Sequence, residues 1–387
     1  MAGQRQAFSG MRGIAPTPTY VVMQPTTLCN LDCAYCYLPF RSADRRMPAA
    51  VAEAVAGAVN KWSAAGRFSV VWHGGEPLAT GREHFATLLA PFDRGVEHHV
   101  QTNATLIDDR WCEFFAAHEI RVSVSIDGPR DRNADRVTRG GRPSYDRILC
   151  GIEALRRHGI GFSALCVVPR PEPGLATELY DYFLDLGCDV LGINIEELEG
   201  VNARSNARDP EAVAGFWSEL VGAWRRDPRI HVREVEWSLR YAAAVLDGTA
   251  DEVLPRQLDP IPTVGYDGSV VLLSPELAGF TDPRYADFTS GNVLTTPLPE
   301  IIAGATSGTP WVAEFLAGVE ACRATCPYFG FCGGAHAANR YFEHGRFDGT
   351  ETDHCRNSKI HLLEGVLDHA RDHEPPRASR LGAGGPV

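Results

Sequence analysis

The chain has 387 residues, of which 44% are hydrophobic and 22% are charged, and both values are typical of a folded globular protein. Its formal charge is −12 at pH 7. Because nucleic-acid binding depends on clustered Lys and Arg that neutralise phosphates, this balance argues against a nucleic-acid partner. No stretch resembles a signal peptide or a membrane span, so we expect a cytoplasmic protein with no membrane partner.

Short β-rich runs alternate with helical patterns from Tyr20 to about Asn194. The predicted strands are Tyr20–Gln24, Phe68–Trp72, His98–Thr102, Arg121–Ile126, Gly161–Val168 and Val190–Ile195. Helix-period apolar residues fill the intervening stretches, such as Ala50–Trp62 and Tyr145–His158. Six β/α repeats predict an α/β fold with a parallel sheet curled towards a barrel. Chemistry in such sheets lies at the carboxyl ends of the strands, where Cys29 follows the first strand.

The second half of the chain departs from this repeat. Glu211–Arg226 and Glu234–Asp247 are predicted to be helices that bridge two modules. Thr263–Leu273 is predicted to be a hairpin that begins a different kind of domain. The expected division is an N-terminal tail 1–18, a barrel 19–205, bridging helices 206–258, a C-terminal domain 259–371 and a disordered tail 372–387.

Eleven cysteines in a reducing compartment indicate metal or redox chemistry rather than a disulfide framework. Cys29, Cys33 and Cys36 form a C-x3-C-x2-C pattern in one loop. Three close thiolates can bind three irons of a cubane cluster and leave the fourth iron open. An open iron can chelate S-adenosylmethionine (SAM), whose C–S bond is then cleaved by one electron to give a 5′-deoxyadenosyl radical. The alternative is structural zinc, which usually takes four ligands, whereas no fourth Cys or His lies nearby.

The first cysteine motif, with Tyr35 before its last cysteine, resembles the cluster loop of the radical SAM superfamily. Trp72-His73-Gly74-Gly75-Glu76-Pro77 is similar to the family's GGEP element after the second strand. The resemblance implies a partial (β/α)6 TIM-like barrel in which Tyr35, Gly74, Gly75 and Glu76 contact the cofactor. Two glycines permit close backbone approach, and a carboxylate can accept a hydrogen bond from the SAM ammonium group.

Two further strand ends resemble the SAM-binding positions of the family. Gln101-Thr102-Asn103 is similar to its Thr-Asn element, so the resemblance implies Asn103 and Ser125 as ribose contacts. Ordinary loop capping is the alternative for both. Arg136 is similar to the arginine that pairs with the SAM carboxylate, a task suited to a fork-shaped donor. Arg139 remains an alternative because the spacing before Arg136 is one or two residues short of the usual pattern.

A second group of four cysteines has enough thiols to complete a cluster with no open iron. The group is Cys322-x3-Cys326-x5-Cys332 followed by Cys355. A structural zinc site is the alternative. The arrangement resembles the SPASM domain, the C-terminal extension of radical SAM enzymes that modify peptides, which often carries two auxiliary clusters. Here His336 replaces an expected cysteine and Ser274 replaces a common ligand, so we expect one auxiliary [4Fe-4S] cluster.

Three more stretches resemble the maturases of glycine-rich-repeat peptides (GRRM-type) and their cyclophane-forming relatives. They are 193–202, Ser274-Pro275-Glu276-Leu277 and 326–334. The resemblance implies an enzyme that joins an aromatic ring to a side-chain Cβ of a ribosomally made precursor peptide. It also implies an electron donor such as flavodoxin or ferredoxin.

Cross-linking of this kind requires a group that takes a proton from the substrate. The candidates are Asp127, Glu196 and Glu197 at strand ends, and His336 in the second cysteine region. For the two glutamates the alternative is a solvated pair, and strand alternation favours an outward direction for Glu197.

Other outcomes on the same scaffold are thioether formation, epimerisation and dehydrogenation of a peptide. Outside enzymes, the alternative is an iron–sulfur or zinc protein that binds a peptide, although such a protein has no need of the GGEP element. About 18 residues precede the first strand, so we expect peptide recognition by a separate protein or by another surface. The helices between Glu211 and Asp247 are expected to form part of the substrate wall.

Overall fold

A computed structural model of the protein describes residues 13–204, 209–254 and 256–372. Ten strands of the described residues form one sheet. Their bounds are β1 Tyr20–Met23, β2 Phe68–Trp72, β3 Val96–Thr102, β4 Arg121–Ser125, β5 Phe162–Val168, β6 Val190–Ile195, β7 His231–Val232, β8 Thr263–Val264, β9 Ser269–Val271 and β10 Gly291–Asn292. The spatial order is β10-β9-β8-β1-β2-β3-β4-β5-β6-β7, and the strands from β1 to β7 run parallel.

The helices follow the strands in the alternation that the sequence predicts. Their bounds are α1 Ala49–Ala65, α2 Arg82–Leu89, α3 Asp109–Ala117, α4 Tyr145–Arg157, α5 Leu175–Leu186, α6 Pro210–Arg226, α7 Arg233–Leu246, α8 Ala250–Val253, α9 Leu298–Gly308, α10 Pro310–Thr325, α11 Phe329–Cys332, α12 Ala337–His344, α13 Asp353–Cys355 and α14 His361–Asp372. A π-helical segment, Arg356–Ile360, joins α13 to α14. Among the described residues no helix is long and apolar enough to cross a membrane.

The six predicted strands are confirmed as β1 to β6, and β2 and β6 have the predicted bounds. β3 begins at Val96 rather than His98 because its alternating burial continues through Val96 and Glu97. Alternation also sets the two faces of the sheet. In β5 the buried residues from Phe162 to Val168 face the helices, and the half-buried residues between them face the interior of the partial barrel.

The predicted hairpin is confirmed, but it joins the barrel sheet. β8 and β9 are antiparallel around Gly268, whose φ of +84° suits a tight turn. β8 also runs parallel to β1. The Val22 amide donates to the Pro262 carbonyl, and the Gln24 amide donates to the Val264 carbonyl, each at 2.9 Å. The chain after the bridging helices therefore lies directly beside the strand that leads into the Cys29 loop.

The end of the described chain also returns to the barrel. α6 begins at Pro210 with Asp209 as its N-cap, and it packs against both α5 and α14. The Trp217 indole on α6 donates to the carbonyl of Asn357 at 2.9 Å. The expected disordered tail lies outside the described residues, except for Asp372, which ends α14. Residues 1–12 of the expected N-terminal tail also lie outside them.

Candidate active site

The loop that carries Cys29, Cys33 and Cys36 crosses the carboxyl end of β1. Two backbone contacts hold this loop against Val137 and Thr138. The Asp32 amide donates to the Val137 carbonyl at 2.8 Å, and a β-bridge joins Leu31 to Thr138. The three thiols are half-buried, and each lies close enough to another for their charges to interact. Burial raises the pKa of Cys29 to about 12 and that of Cys33 to about 11. These thiols keep their protons until a metal displaces them.

The glycines of the GGEP element allow the loop after β2 to press against the Cys29 loop. Gly75 has a φ of +61°, and a Cβ there would lie 2.6 Å from the Leu28 carbonyl oxygen. Gly74 has a φ of +101°, and its Cβ would lie 2.8 Å from Gln24 Cγ. In addition, the Glu76 amide donates to the Leu28 carbonyl at 2.8 Å. The close approach that these glycines permit is therefore between two loops of the protein itself.

The carboxylate of Glu76 is almost fully buried and connects three elements. Its Oε1 accepts from the Leu78 amide at 3.1 Å and the Thr102 hydroxyl at 2.7 Å, and its Oε2 accepts from the Asn103 amide at 2.8 Å. Burial raises the pKa of Glu76, although these hydrogen bonds oppose the shift. A carboxylate has about four acceptor positions, so one remains for a ligand.

Asn103 and Ser125 lie at neighbouring strand ends beside the cysteine loop. The side-chain nitrogen Nδ2 of Asn103 donates to Asn30 Oδ1 at 2.9 Å and lies 3.8 Å from Cys29 Sγ. The Ser125 hydroxyl accepts from Gln101 Nε2 at 2.8 Å. Each side chain thus uses part of its hydrogen-bonding capacity within the protein, and the contact of either with the SAM ribose stays a prediction.

Tyr35, Asp127 and Arg136 form a buried triad next to Cys33. The Tyr35 hydroxyl donates to Asp127 Oδ2 at 2.5 Å, and Arg136 donates to the same hydroxyl and lies 3.6 Å from Asp127 Oδ1. Asp127 Oδ1 also accepts from the Val167 amide at 3.1 Å. With its oxygens engaged, Asp127 is better suited to positioning Arg136 than to taking a substrate proton.

Arg136, rather than Arg139, occupies the interior of the site. Its side chain is 6% exposed, and its Nε has no hydrogen-bond partner among the described residues. Arg139 is exposed and donates to the backbone carbonyls of Cys29 and Arg41. Arg136 therefore keeps a buried donor that a carboxylate ligand would satisfy.

Glu196 belongs to the same end of the barrel but is already paired. Its carboxylate lies 2.9 Å from Arg204, which also contacts Asp135 at 2.8 Å. Because Asp135 precedes Arg136, this ion-pair chain ties the end of β6 to the triad. No sequence motif pointed to Arg204, and its ion pair favours a positioning role for Glu196.

Glu197 points away from Glu196 and towards the C-terminal part of the chain. Its Oε1 lies 3.0 Å from His354 Nδ1, and its Oε2 accepts from Asn339 at 2.7 Å. Burial alone would raise the pKa of Glu197, but His354 and Asn339 outweigh it and hold the pKa at about 2. His336 lies on the other side of His354, with the ring centroids 5.2 Å apart. His354 therefore contacts both Glu197 and His336. The sequence had indicated those two residues as candidate site residues, but it had not indicated His354.

Two more carboxylates, Glu199 and Glu276, share this space. Burial raises the pKa of Glu199 well above its usual value, and the charge of Glu276 adds to the shift. Burial likewise raises the pKa of Glu276 to about 7, and its Oε2 has no hydrogen-bond partner among the described residues. Tyr37 lies near both carboxylates. Its hydroxyl is 2.7 Å from Nε2 of His73, the residue that follows β2. We refer to Glu197, Glu199, Glu276, His336 and His354 as the acid–histidine group.

The four cysteines of the second group lie close enough to one another for their charges to interact, and their role as cluster ligands stays a prediction. Cys355 donates to Cys332, and this hydrogen bond is the main reason that the pKa of Cys332 falls to about 6. Cys322 and Cys326 interact electrostatically with Cys332. Four thiols with one acidic member form a donor set that fits an iron–sulfur cluster. Cys355 follows His354 directly, so this cysteine group adjoins the acid–histidine group.

Ser274, which stands where a cluster ligand is common in SPASM domains, has a different task here. It is fully buried, and its hydroxyl accepts from the Ala338 amide at 3.1 Å, in the first turn of α12. His336 immediately precedes that helix as its N-cap residue. A serine oxygen is well suited to the free amides of a helix N-terminus. This local structure accounts for the replacement of the cysteine.

The fold and the two cysteine groups lead to a family, and sequence comparison agrees. A family model described as the radical SAM superfamily matches residues 23–174. An uncharacterised protein of Synechocystis sp. is 33% identical over 365 residues, with 90% of each chain covered. The chain belongs to the radical SAM superfamily, and it is therefore an enzyme that uses a [4Fe-4S] cluster and SAM.

Other relatives share part of the chain or its fold. The serine-type anaerobic sulfatase-maturating enzyme of Klebsiella aerogenes is 30% identical over 227 residues, which is 55% of either chain. The structure of anSMEcpe with bound SAM superposes with a TM-score of 0.67 at 20% identity, over 92% of this chain and 98% of the other. The structure of Streptococcus suis SuiB bound to precursor peptide SuiA superposes with a TM-score of 0.60 at 15% identity, over 88% of this chain and 76% of the other. These superpositions confirm the partial-barrel fold.

Proposed function

We propose that this enzyme is a maturase of a ribosomally made peptide that forms a C–C, cyclophane-type link between an aromatic ring and a side-chain Cβ. The observation that carries the proposal is the junction of His354 and Cys355. Through them the four-cysteine group meets Glu197 at the mouth of the barrel, where the first cysteine group also lies. On the other side, Tyr37 follows Cys36 directly and lies close enough to Glu199 and Glu276 for their charges to act on it. The motif resemblance supports the cross-link.

The described residues fit the cofactors in two places. Cys29, Cys33 and Cys36 would hold the [4Fe-4S] cluster, and SAM bound there would supply a radical that removes a hydrogen atom from the peptide. The buried Nε of Arg136 would bind the SAM carboxylate, while Asp127 and Tyr35 hold the guanidinium in place. The four cysteines of the second group would hold one auxiliary cluster, which would supply an electron acceptor.

Forming the link removes two hydrogens from the peptide. One leaves as the abstracted hydrogen atom, and the Cβ then bonds to the aromatic ring, which must lose one electron and one proton. Asp127 and Glu196 are occupied by arginines, whereas Glu276 has an oxygen with no hydrogen-bond partner in the described part of the chain and a pKa raised by burial to about 7. We therefore assign the proton to the acid–histidine group, with Glu276 as its acceptor.

Dehydrogenation of a peptide side chain is a second candidate. The 30% identity to the serine-type anaerobic sulfatase-maturating enzyme favours it over the remaining alternatives, and it would make a serine the reacting residue. This reaction also removes two hydrogens, but it forms no bond between residues. The two candidates therefore differ in the connectivity of the product rather than in its mass.

The first experiment tests radical chemistry and cluster number. Anaerobically reconstituted wild type should bind about eight irons per chain and convert SAM to 5′-deoxyadenosine with dithionite. Joint replacement of Cys29, Cys33 and Cys36 by Ala should abolish 5′-deoxyadenosine and leave about four irons. Cys150→Ala, at an exposed position on α4, is the matched control and should change neither. No 5′-deoxyadenosine from a fully iron-loaded wild type would favour a non-catalytic binding protein.

The second experiment identifies the product. The genome is searched for short open reading frames beside the gene, each encoded peptide is co-expressed with the chain, and the peptides are analysed by tandem mass spectrometry. A cyclophane should lose two hydrogens, lack fragments between the linked residues and fail to react with a hydrazide. A product that fragments normally and reacts with the hydrazide would establish dehydrogenation instead. Unchanged mass with deuterium taken up from solvent would establish epimerisation.

A further inference from the structure

Arg340 on α12 is a buried cation beside the four-cysteine group. Its side chain is 1% exposed, and its Nη2 donates to Cys322 Sγ at 3.3 Å and to the Gly334 carbonyl at 2.7 Å. Nη1 donates to the carbonyls of Phe347 at 3.1 Å and Phe315 at 3.4 Å. Arg340 thus links one of the four sulfurs to three segments of backbone.

Within the described residues, no carboxylate lies within ion-pair distance of Arg340, and its Nε has no partner. A buried charge without a counter-charge costs several kcal/mol. The cysteine group is the partner that the contacts offer to this guanidinium, because Nη2 donates directly to Cys322 Sγ at 3.3 Å.

The protein provides space for this contact. Gly318 lies within α10, and a Cβ there would come within 2.1 Å of Arg340 Nη1 and 2.8 Å of the Asp348 Cα. A glycine inside a helix costs up to about 1 kcal/mol relative to Ala, so its presence here is explained by the guanidinium that it admits. Lys359 is a second cation near Cys332, with its Nζ 4.7 Å from the centre of the Trp237 ring.

We propose that Arg340 is a positioning residue that sets the reduction potential of an iron–sulfur cluster held by Cys322, Cys326, Cys332 and Cys355, with Lys359 as a second, weaker contributor. This inference rests on the auxiliary cluster of the proposed function. Reduction adds negative charge to a cluster, and a nearby cation that also donates to a ligating sulfur stabilises the reduced form. Arg340 therefore makes this group a better acceptor for the electron that leaves the peptide.

The test is a redox titration in a full chain whose Cys29, Cys33 and Cys36 are replaced by Ala, so that only the second cluster contributes. Arg340→Gln should lower the potential by at least 59 mV, which is a tenfold change in the ratio of reduced to oxidised cluster for one electron. Arg340→Lys keeps the charge and should lower the potential less. Arg157→Gln removes an exposed arginine on α4 that is paired with Asp109 and is the matched control, for which no shift is expected.

Iron analysis separates the two proposals. If the chain lacking the first three cysteines binds no iron, the auxiliary cluster itself is wrong. If it binds about four irons and Arg340→Gln leaves the potential unchanged, the role of Arg340 is wrong while the cluster stands. Loss of iron in Arg340→Gln but not in Arg340→Lys would support the charge requirement. If both variants lose iron, Lys359→Met provides the measurement, and an unchanged potential there would overturn the proposal.

Discussion

Surroundings, rather than residue type, separate the carboxylates at the barrel mouth into different roles. Asp127 and Glu196 were equal candidates with Glu197 on sequence grounds, yet arginines occupy the first two. Glu197 is held ionised by His354, whereas burial keeps Glu276 protonated to higher pH. A carboxylate that acts as a base near neutral pH requires a buried environment like that of Glu276, which raises its pKa.

Glu276→Gln tests this environment through the pH dependence of stability. The pKa of Glu276 is raised by burial from 4.5 to about 7 in the folded chain, so the folded state binds the proton more tightly than the unfolded state. The stability that Glu276 contributes is therefore fully present below pH 4.5 and is lost as the pH rises through about 7. Measured by urea unfolding, wild type should lose about 2 kcal/mol relative to Glu276→Gln between about pH 5.5 and pH 7, and little more beyond.

The matched control for removing a carboxylate is Glu53→Gln, at an exposed position on α1. A constant difference between wild type and Glu276→Gln across this range would show that Glu276 is solvated, and would remove the case for it as the proton acceptor.

Among the structural elements, the loops after β1 and β2 act as one unit. The GGEP element supports the Cys29 loop through its backbone: Gly75 contacts it directly, and the Glu76 amide bonds to the Leu28 carbonyl. The cofactor site is thus built from two loops that cannot move apart without losing these contacts.

Gly75→Ala tests the contact between the loops. The substitution adds strain at a φ of +61° and places a Cβ 2.6 Å from the Leu28 carbonyl oxygen. Gly159→Ala is the matched control, because Gly159 has a φ of +66° and no atom within 4 Å of the added Cβ. The control should cost about 1–2 kcal/mol of unfolding free energy, and Gly75→Ala should cost more and also weaken SAM binding. If Gly75→Ala and Gly159→Ala lower the unfolding free energy equally and SAM affinity is unchanged, the Cys29 loop moves to accommodate the added methyl group without an energetic cost.

On the scale of the whole molecule, the second half of the chain packs back onto the first in two places. β8 extends the sheet beside β1, and α14 lies against α6, where Trp217 bonds to the Asn357 carbonyl. The segment before α14 carries Cys355. The barrel and the second cysteine group therefore share a framework, and we expect them to unfold together.

Gly365→Ala tests this coupling. Gly365 on α14 is buried against α6, and an added Cβ would lie 2.4 Å from the Ala214 carbonyl oxygen. The cost should be about 1–3 kcal/mol, seen as a lower melting temperature at which helical circular dichroism and cluster absorbance are lost together. Gly215→Ala, on the exposed side of α6 with nothing within 4 Å, should instead stabilise the protein by up to about 1 kcal/mol. Separate transitions in Gly365→Ala would show that the two parts unfold independently.

The sequence by itself determined the strands, their parallel arrangement and the two thiol sets, because strand periodicity and cysteine spacing are local patterns. The spacing of Cys29, Cys33 and Cys36 indicated one open iron, and the GGEP element indicated SAM, before any contact was visible. Only the tertiary structure decided which charges meet. Arg340, Arg204 and His354 lie far along the chain from Cys322, Asp135 and Glu197, so no local pattern pairs them. Pairings of this kind depend on how sheet and helices pack, and they determine which carboxylate is free to act.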